Sequence, residues 1–508
     1  MPTSLLGVHR WFIGALTVFM LSPGVSAQEV VDISLSLEEA IAIARQNNPG
    51  FQATRNDEVT ADWDVKSAYG ALLPSATSGG AIRWQGPGEQ QFGSITAQQL
   101  GFANQPSFWS SSYSIGLSYN VSGSVLLAPG QAKARRRATR AQVANAGAIL
   151  VFQVTQQYIA VLRQAEQVKV SEQQLERTAF NLRLAQAQYE VGTASAVEVA
   201  QAEVGAGRAE VTVLLDQNQH ETTRIRLLQL MGVDLDQPVV LTTPFRLAEP
   251  LWSRDELYEL GLDGNPNLHA LRENHRASEF GVKIAKSAYL PSLSLNTSFS
   301  GFSQQATSTD FRVASAEAGS IASINNCLFQ NDLFSRLADP LPATDCSRLA
   351  FSDADAQAIR DANDVFPFNF TRSPPSATLQ ISRPIFQGFS RQRQVEAAQV
   401  QREDLRHNLR EQELALRADI ATGLATLRTA YRSALLEERN QATADEQLRL
   451  ARERFTVGLA DFVELLDAES VKAEADRASI AAIFAYHDVL ASLESAVGQS
   501  LRGNDAAN

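Results

Sequence analysis

The sequence contains no run of 18 consecutive apolar residues, which is about the length that a membrane-spanning helix needs. If the protein crosses a membrane, we therefore expect a closed β-barrel, because in lipid every backbone polar group must be paired within the protein. Cysteine is also scarce, since Cys327 and Cys346 are the only two. In an oxidising compartment such a pair favours a disulfide that staples one local loop.

Signals of catalysis, metal binding and nucleic-acid binding are missing as well. The six histidines show no metal-ligand spacing, and the chain has no phosphate-binding loop and no nucleophile–base signature. The formal net charge is −12, whereas nucleic-acid-binding domains carry basic patches. We therefore expect a protein that is not an enzyme, needs no cofactor and does not bind nucleic acid.

The first 27 residues have the pattern of a secretory signal peptide. His9 and Arg10 precede an apolar run at 11–21, and residues 25–27 (VSA) form a small-x-small cleavage site. The alternative, a membrane anchor, is disfavoured because the apolar run is too short to span a bilayer. This pattern predicts an exported protein.

The most informative feature of the chain is an internal repeat. AQAQYEVGTASAVEVAQAE at 185–203 returns as ARERFTVGLADFVELLDAE at 451–469, at a spacing of 266. Near the start of each copy, 48–75 aligns with 265–292 at a spacing of 217, so the second copy carries 49 extra residues. We therefore divide the mature chain into two structural repeats, 28–250 and 251–508.

Each repeat contains a helical pattern that is too long for a compact domain. From about 131 to 189 there is no proline, and apolar or small residues recur in alternating steps of four and three, which is typical of a coiled coil. A helix of about 60 residues would be about 90 Å long. Each copy of the V-G motif predicts a turn between two helices. The sequence therefore predicts long helical hairpins at about 131–231 and about 390–499.

Each repeat also contains two strands. WSSSYSIGLSYNV at 109–121 alternates between large apolar and small polar residues over a length typical of a transmembrane barrel strand. The predicted strand pairs are about 75–90 with 109–122, and about 291–303 with 376–386. We expect the stretch between the second pair to be an external loop with a short helix at 352–362. Four strands cannot close a lipid-facing barrel, whose smallest forms have about eight, so we expect an oligomer.

At this point the chain resembles a known family, the TolC-like outer-membrane factors, also called outer membrane efflux proteins. The resemblance covers about 36–501 and depends on the duplicated strand–strand–hairpin order, the paired NP…LPS segments and the paired [YF]-x-V-G-x-x-x-x-V-E motifs. ISRPIFQGFSRQRQ at 381–394 is similar to the family's strand-to-helix junction.

The resemblance implies an α+β membrane protein that forms a homotrimer. Its pooled strands would form a 12-stranded β-barrel in the bacterial outer membrane, continued by a long α-helical coiled-coil barrel in the periplasm. It also implies an exit duct for efflux or type I secretion, whose partners are a periplasmic adaptor, an inner-membrane transporter and outer-membrane lipid. The alternative is a non-conducting periplasmic adaptor or structural coiled-coil protein.

In this family the turns at the V-G motifs form the periplasmic tip, where the adaptor docks. The corresponding residues in this chain are Tyr189, Val191, Gly192, Glu198, Phe455, Val457 and Gly458. By position, Glu464 and Asp467 match the acidic residues that line the family's narrowest ring. They share a helix face and would attract cations; the alternative is an ordinary solvated face.

The first copy differs from this pattern, because Gln201 stands where Asp467 has its counterpart. The asymmetry predicts that only the second hairpin builds the constriction. Family members often carry an arginine two residues after the second glycine, but this chain has Ala460 there. Arg452 or Arg454 is a candidate substitute.

A basic cluster between Lys133 and Arg140 opens the first long helix. One hypothesis is contact with anionic lipid headgroups. The alternative is plain solvated charge at a helix start.

Overall fold

The computed structural model describes residues 33–88, 91–92, 94–96, 107–236, 239–339 and 341–502, and the predicted signal peptide at 1–27 lies outside them. The helices of this part are α1 (Leu37–Asn47), α2 (Pro49–Gly70), α3 (Gly123–Glu190), α4 (Ala196–Met231), α5 (Arg254–Gly264), α6 (Pro266–Ser287), α7 (Asp310–Ser335), α8 (Asp353–Asn363), α9 (Ser390–Thr456) and α10 (Phe462–Val497). The strands are β1 (Ile33–Leu35), β2 (Ser75–Gln85), β3 (Gln91–Phe92), β4 (Ile95–Thr96), β5 (Phe108–Val121), β6 (Val239–Leu241), β7 (Ser292–Ala306), β8 (Thr371–Arg372) and β9 (Ser376–Ser382).

The chain forms two compact units, and each unit takes residues from both sequence repeats. The first contains residues up to Pro49, Leu150–Pro250 and Thr426–Ala491, and the second contains Gly50–Ile149, Leu251–Ala425 and the residues from Ser492. The division at residue 250 therefore describes the duplication and not two spatial units. Strands of both repeats hydrogen-bond in one sheet, which prevents the repeats from being separate in space.

The second unit contains an antiparallel sheet in the order β2-β5-β7-β9, and the short β8 also pairs with β7. Central β5 and β7 pair along their whole lengths, with Ile115 opposite Phe299. β9 ends at Ser382, earlier than the predicted 386. Pro384, which has no N–H to donate to a ladder, follows two residues later. β2 likewise ends at Gln85, earlier than the predicted 90.

The two faces of this sheet differ in chemistry, because alternate residues of a strand point to opposite faces. The register puts most of the large apolar residues together on one face: Ile82, Trp84, Trp109, Ile115, Leu117, Tyr119, Leu293, Leu295, Phe299, Leu379 and Ile381. The other face carries Phe108 and Phe302 and also small polar residues: Thr77, Ser110, Ser112, Ser114, Ser118, Asn296, Ser298, Ser300, Thr378 and Gln380. The sheet therefore has one face suited to lipid and one suited to water.

Ser111 interrupts the apolar alternation of β5, and the structure explains why. The segment 366–370 crosses the apolar face there, with the rings of Phe366 and Phe370 against Trp109 and Tyr113 at centroid distances of 5.6 and 4.9 Å. The Ser111 hydroxyl is buried and contacts the Ser303 hydroxyl and the Pro367 carbonyl. A buried backbone carbonyl needs a hydrogen-bond donor, which an apolar residue could not supply.

The extra residues of the second repeat are more helical than predicted. The 26-residue helix α7 occupies much of the stretch that was expected to be a loop, and α8 covers Asp353–Asn363 instead of 352–362. The whole stretch of about 303–376 is rich in Asp, Asn, Ser and Pro, which looks like a loop by composition. Cys327 and Cys346 form a disulfide with a Cα–Cα distance of 5.8 Å, and this staples α7 to the following turn.

Helix α3 begins at Gly123, eight residues before the predicted start, and continues through Pro129. Packing on α6 stabilises these first turns. A Cβ on Gly130 would lie 2.7 Å from the Phe280 ring, and one on Gly123 would lie 2.6 Å from the Ser287 Cβ. Tertiary contact therefore outweighs the poor helix propensity of proline and glycine.

The basic cluster at the start of α3 is largely paired within the protein. Arg136 and Arg140 bind Asp62 at 3.3 and 3.4 Å, and Arg137 binds Glu273 at 3.2 Å. Paired charges attract lipid headgroups less strongly than free ones do. Lipid contact by this cluster stays a prediction.

One helix of the described part, α10, is long and apolar enough to cross a membrane by length and composition, with a mean hydropathy of 1.3 over its best window. It nevertheless carries the buried polar residues Glu469, Lys472 and Asp476. These bind groups on α3 and α9, so α10 is a packed helix of the first unit.

Candidate functional site at the hairpin turns

The two predicted turns lie in the first unit and share one backbone design. α3 and α9 end at Glu190 and Thr456, and α4 and α10 begin at Ala196 and Phe462. The two helix ends are therefore 266 residues apart, as are the two helix starts, and 266 is the repeat spacing. The structure ends and starts the helices at equivalent residues in both copies.

A glycine in the left-handed conformation ends each long helix. Gly192 has φ 76° and Gly458 has φ 74°, and their N–H groups donate to the Tyr189 and Phe455 carbonyls at 3.0 and 3.1 Å. No atom lies within 4 Å of a Cβ built on either glycine. The turn therefore needs glycine for its backbone conformation and not for space.

In the first turn Glu198 is used to start the return helix. Ser195 donates its backbone N–H to Glu198 Oε2 at 2.8 Å, and Glu198 donates its own N–H to the Ser195 hydroxyl at 3.3 Å. This reciprocal pair is a capping box. The Glu198 carboxylate therefore has a structural partner within its own turn.

In the second turn Asp461 caps the start of α10, and the Glu464 carboxylate takes no part in capping. Asp461 Oδ1 accepts the Glu464 N–H at 2.8 Å. The Glu464 carboxylate then accepts a hydrogen bond from Arg454 Nη1 at 2.6 Å, and both side chains are exposed by about half. Glu198 and Glu464 occupy matching positions but have different roles.

The second turn is also packed more tightly than the first. Phe462 is buried and its ring centroid lies 5.6 Å from that of Phe455. At the matching positions the first turn has the exposed Tyr189 and the small Ala196. Phe455, which was expected at the docking tip, therefore packs within the hairpin, whereas Val191 and Val457 are exposed.

Glu464 and Asp467 lie together, as their spacing predicts. Both line a cavity of about 370 Å³ between α9 and α10, to which Arg454 also contributes. Neighbouring Arg449 binds both Glu446 and Glu453. The hydrogen bond between Arg449 and Glu446 lowers the pKa of Glu446 and raises the pKa of Arg449. Several ion pairs therefore lie close together near the turn of the second hairpin.

Sequence reasoning missed a buried ionic network centred on Glu469. Its side chain is only 4% exposed and accepts hydrogen bonds from Arg177 Nε at 3.2 Å and Asn181 Nδ2 at 3.2 Å, both on α3. Arg452 Nη2 on α9 donates to it at 2.9 Å. Glu469 therefore joins three helices.

Asp476 extends this network along α10. Its carboxylate is 4% exposed and accepts hydrogen bonds from Lys472 Nζ at 2.6 Å and from Gln441 Nε2 of α9 at 2.8 Å. Arg177 Nη2 lies 3.8 Å away. Buried carboxylates are tolerated only when they are paired, and these are. Charged residues on one face of the most apolar helix were the signal that could have revealed the network.

The chain has no arginine at position 460, and the two arginines that could replace it bind different carboxylates. Arg452 binds the buried Glu469, and Arg454 binds the exposed Glu464. Among the described residues, no group of three or more His, Cys, Asp or Glu side chains could hold a metal ion.

A groove of about 1330 Å³ begins at the turns, with α4 and α10 as its walls and α3 at its floor. Its turn end is apolar, with Val197 and Val463, and further along it carries Arg208 and Arg477. Gly205 opens onto the groove with no atom within 4 Å of a built Cβ. The groove therefore combines an apolar end at the turns with a charged stretch further along.

Comparison with known proteins agrees with this architecture. The sequence profile described as "Outer membrane efflux protein" matches residues 40–233 and 352–499, which together make up more than half of the chain. The Pyoverdine export outer membrane protein OpmQ of Pseudomonas aeruginosa is 30% identical over 162 residues, which cover 32% of this chain. That alignment spans 34% of the length of this curated relative.

Solved structures share the fold over nearly the whole length. A membrane protein from Pseudomonas aeruginosa has a TM-score of 0.67 at 18% identity, covering 93% of this chain and 92% of that one. The open state of the Neisseria gonorrhoeae MtrE outer membrane channel has a TM-score of 0.63 at 18% identity, covering 95% of each chain.

Proposed function

The chain belongs to the outer membrane efflux protein family, and on that premise we propose that it is the exit duct through which an inner-membrane pump releases substrates to the cell exterior. It is an outer-membrane protein with a periplasmic extension. The observation that carries the proposal is the family match, which covers the helical hairpins of both repeats. The chain acts as a conduit, with no catalytic step.

The two-faced sheet supports a membrane-spanning role. Its apolar face suits lipid and its hydroxyl face suits a water-filled lumen. One chain contributes the four long strands β2, β5, β7 and β9, and a barrel needs about eight or more. A homotrimer pools 12 strands, and β2 of one copy then pairs with β9 of the next.

The helical hairpins form the periplasmic part of the duct, and the groove between α4 and α10 receives a helix of the periplasmic adaptor. Helix-in-groove binding needs apolar anchors at helical spacing, and Val197 and Val204 supply two on α4, seven residues apart. The exposed Val191 and Val457 extend that surface onto the turns.

Glu464 and Asp467 line the narrowest point of the duct. Three copies supply a ring of six carboxylates, which binds multivalent cations. In each copy Arg454 neutralises part of that charge through Glu464.

Conductance decides between a duct and the rival reading, a non-conducting adaptor or structural coiled coil. We expect the purified protein to fractionate with the outer membrane, to migrate as a heat-modifiable trimer and to give single-channel currents in a planar bilayer. A soluble protein that gives no current would reject the proposal.

The proposed carboxylate ring can be tested by measuring how strongly a trivalent cation blocks the single-channel current. Replacing Glu464 and Asp467 by alanine should weaken the block at least about tenfold, because each lost charge contact in a partly dehydrated ring removes on the order of 1 kcal/mol. The matched control replaces the exposed Glu411 and Glu438 of α9 by alanine and should leave the block unchanged. Equal block in both variants would mean that the ring lies elsewhere.

The groove is tested by filling it. Gly205→Trp should abolish co-purification with the adaptor of the host cell after cross-linking. Gly319→Trp on α7 is the control, because that glycine also has no atom within 4 Å of its built Cβ. Normal adaptor binding by Gly205→Trp would exclude the groove.

A further inference from the structure

The second repeat carries a folded segment that the proposed duct does not use. Residues 307–370, here called the insert, connect β7 to β8. They include α7, α8 and the disulfide between Cys327 and Cys346. Helix α7 begins at Asp310, close to the end of β7 at Ala306. The insert therefore starts at one end of the sheet.

One ridge of α7 faces the rest of the insert. Ser320 donates its hydroxyl to the Leu349 carbonyl. Asn331 exchanges two hydrogen bonds with the backbone of Thr344, at 2.8 Å with the carbonyl and 2.9 Å with the N–H. The ridge consists of the residues of α7 that are at least partly covered, at steps of three and four: Val313, Ala316, Ser320, Ile324, Cys327, Asn331 and Phe334. These contacts fix which sides of α7 stay uncovered.

The uncovered surface of α7 is divided into an apolar flank and a polar flank. The apolar flank consists of exposed residues: Phe311, Ala314, Ala318, Ile321, Ala322, Leu328, Phe329 and Leu333. The polar flank consists of exposed residues as well: Arg312, Ser315, Gly319, Ser323, Asn326 and Gln330. At about 3.6 residues per turn the two flanks lie side by side, each next to one edge of the ridge. Asn325 and Asp332 interrupt the apolar flank, and Asp332 is paired with Arg336. A helix with this division suits a boundary between lipid and water.

The insert is attached to the apolar face of the sheet. Phe366 donates its N–H to Gln305 Oε1 at 2.8 Å, and Gln305 lies on the same face of β7 as Phe299. The buried Asn363, at the end of α8, accepts the Ala306 N–H at 2.9 Å and donates to the Ala306 carbonyl at 2.8 Å. The insert therefore joins the sheet on the side suited to lipid and not on the hydroxyl side.

Aromatic rings cluster at this attachment. The ring centroids of Trp84 and Trp109 lie 6.4 Å apart, and Phe366 packs on Trp109. Phe368 is 78% exposed, and its ring centroid lies 6.5 Å from that of Phe370. Aromatic residues are enriched where hydrocarbon meets headgroups, and they form girdles around transmembrane barrels. This end of the apolar face therefore has the chemistry of a membrane interface.

The other ends of the strands lead into the long helices. β5 ends at Val121 and α3 begins at Gly123, and β9 ends at Ser382 before α9 begins at Ser390. The insert is thus at the end of the sheet away from the start of both hairpins. With the hairpins in the periplasm, this end lies at the outer leaflet.

We propose that the insert is seated in the outer leaflet of the outer membrane, with the apolar flank of α7 and the ring of Phe368 among the acyl chains just below the headgroups. The inference rests on the proposed membrane-spanning sheet and adds a second lipid-contacting surface to it. Continuity favours lipid as the occupant, because the insert is attached to the face that the sheet itself turns to lipid. Exposed apolar patches of this kind mark sites of membrane contact.

Quenching by spin-labelled lipid tests this contact directly. Both native cysteines are in the disulfide, so an environment-sensitive dye labels only an introduced cysteine. The protein is reconstituted in phosphatidylcholine vesicles that contain a lipid with its spin label near the headgroup. Ile321→Cys, on the apolar flank, should be quenched at least about threefold more than Ser323→Cys, on the polar flank, because interfacial helices bury their apolar side about 5–10 Å deep.

Equal quenching at the two positions, or none at position 321, would overturn the proposal. Blue-shifted emission at position 321 without quenching would also overturn it, because protein would then cover the apolar flank.

Charged variants provide a test without a dye, which is itself apolar. Ile321→Asp with Phe329→Asp should make the α7 amides exchange hydrogen at least about tenfold faster in vesicles than Ser323→Asp with Gln330→Asp, because only the first pair removes lipid contacts that oppose local opening. Both pairs add the same two charges to the same helix. Identical exchange rates in the two variants would count against the lipid contact.

A third labelled position separates this inference from the proposed function. Leu379 lies on the apolar face of β9 and is exposed, so Leu379→Cys should be quenched by a spin label near the bilayer centre if the sheet spans the membrane. Quenching at position 379 without quenching at 321 rejects the seat of the insert and keeps the spanning sheet. Quenching at 321 without quenching at 379 supports the seat of the insert and rejects the spanning sheet.

Discussion

The first hairpin turn, around Gly192, and the second, around Gly458, have the same backbone and different side-chain support. Both glycines adopt nearly the same positive φ, and both return helices are 36 residues long. The first return helix begins with a capping box. The second packs the buried Phe462 against the half-buried Phe455, and its Glu464 carboxylate pairs with Arg454 instead of capping the helix. The comparison teaches that duplication preserved the turn while the side chains around it diverged in role.

The largest expected difference between the turns comes from their aromatic support. Phe462→Ala should destabilise the second turn by about 3–5 kcal/mol, because it removes a buried aromatic ring and leaves a cavity. Tyr189→Ala in the first turn should cost less than about 0.5 kcal/mol, because Tyr189 is exposed. Native-state hydrogen exchange of the amides at 455–466 and 189–200 measures both. Equal loss of protection in the two turns would contradict the difference in packing.

A smaller effect separates the two acids of α10. Glu469→Ala should cost about 2–3 kcal/mol, somewhat below the usual cost of breaking a buried ion pair, because Arg452 is 37% exposed and can be hydrated. Glu464→Ala should cost less than about 0.5 kcal/mol, as expected for an exposed pair. Chemical denaturation of the two variants checks this order. If Glu464→Ala proved the more damaging, the assignment of Glu469 as the structural acid would be wrong.

Arg454→Ala should likewise change the stability by less than about 0.5 kcal/mol. Its effect on function should be larger, because it removes the counter-charge of Glu464 and should strengthen block by a trivalent cation about threefold or more. The matched control is Arg432→Ala, another exposed arginine of α9. Unchanged block would show that Arg454 does not shield the ring.

Much of the fold could be predicted from the sequence because it is periodic. The alternation of 109–121 predicts a strand that the structure assigns to Phe108–Val121. The V-G motifs predict turns that the structure builds on Gly192 and Gly458. Both signals are local, since a strand face and a left-handed turn each depend on residue types a few positions apart.

The rest could not be predicted, because it depends on contacts between residues far apart in the chain. Helix α7 lies in a stretch of loop-like composition, and a disulfide from Cys327 ties it to the turn at Cys346. Arg177 and Glu469 are 292 residues apart, and no local pattern pairs them. The different roles of Glu198 and Glu464 follow from which neighbour caps the helix, which a match of motifs does not reveal.

The sequence by itself determined the duplication, the long helical hairpins, the two-faced strands and the family. The first three follow from spacing and periodicity, which are properties of the chain, and the family follows from the resemblance of its motifs and from the matching sequence profile. Only the tertiary structure decided which copies of a repeated residue are covered. Glu469 is buried and Glu203 is exposed, although the two residues match in the repeat. The physical reason is that burial depends on the neighbouring helix, and only one of the two equivalent faces finds that neighbour within its own chain.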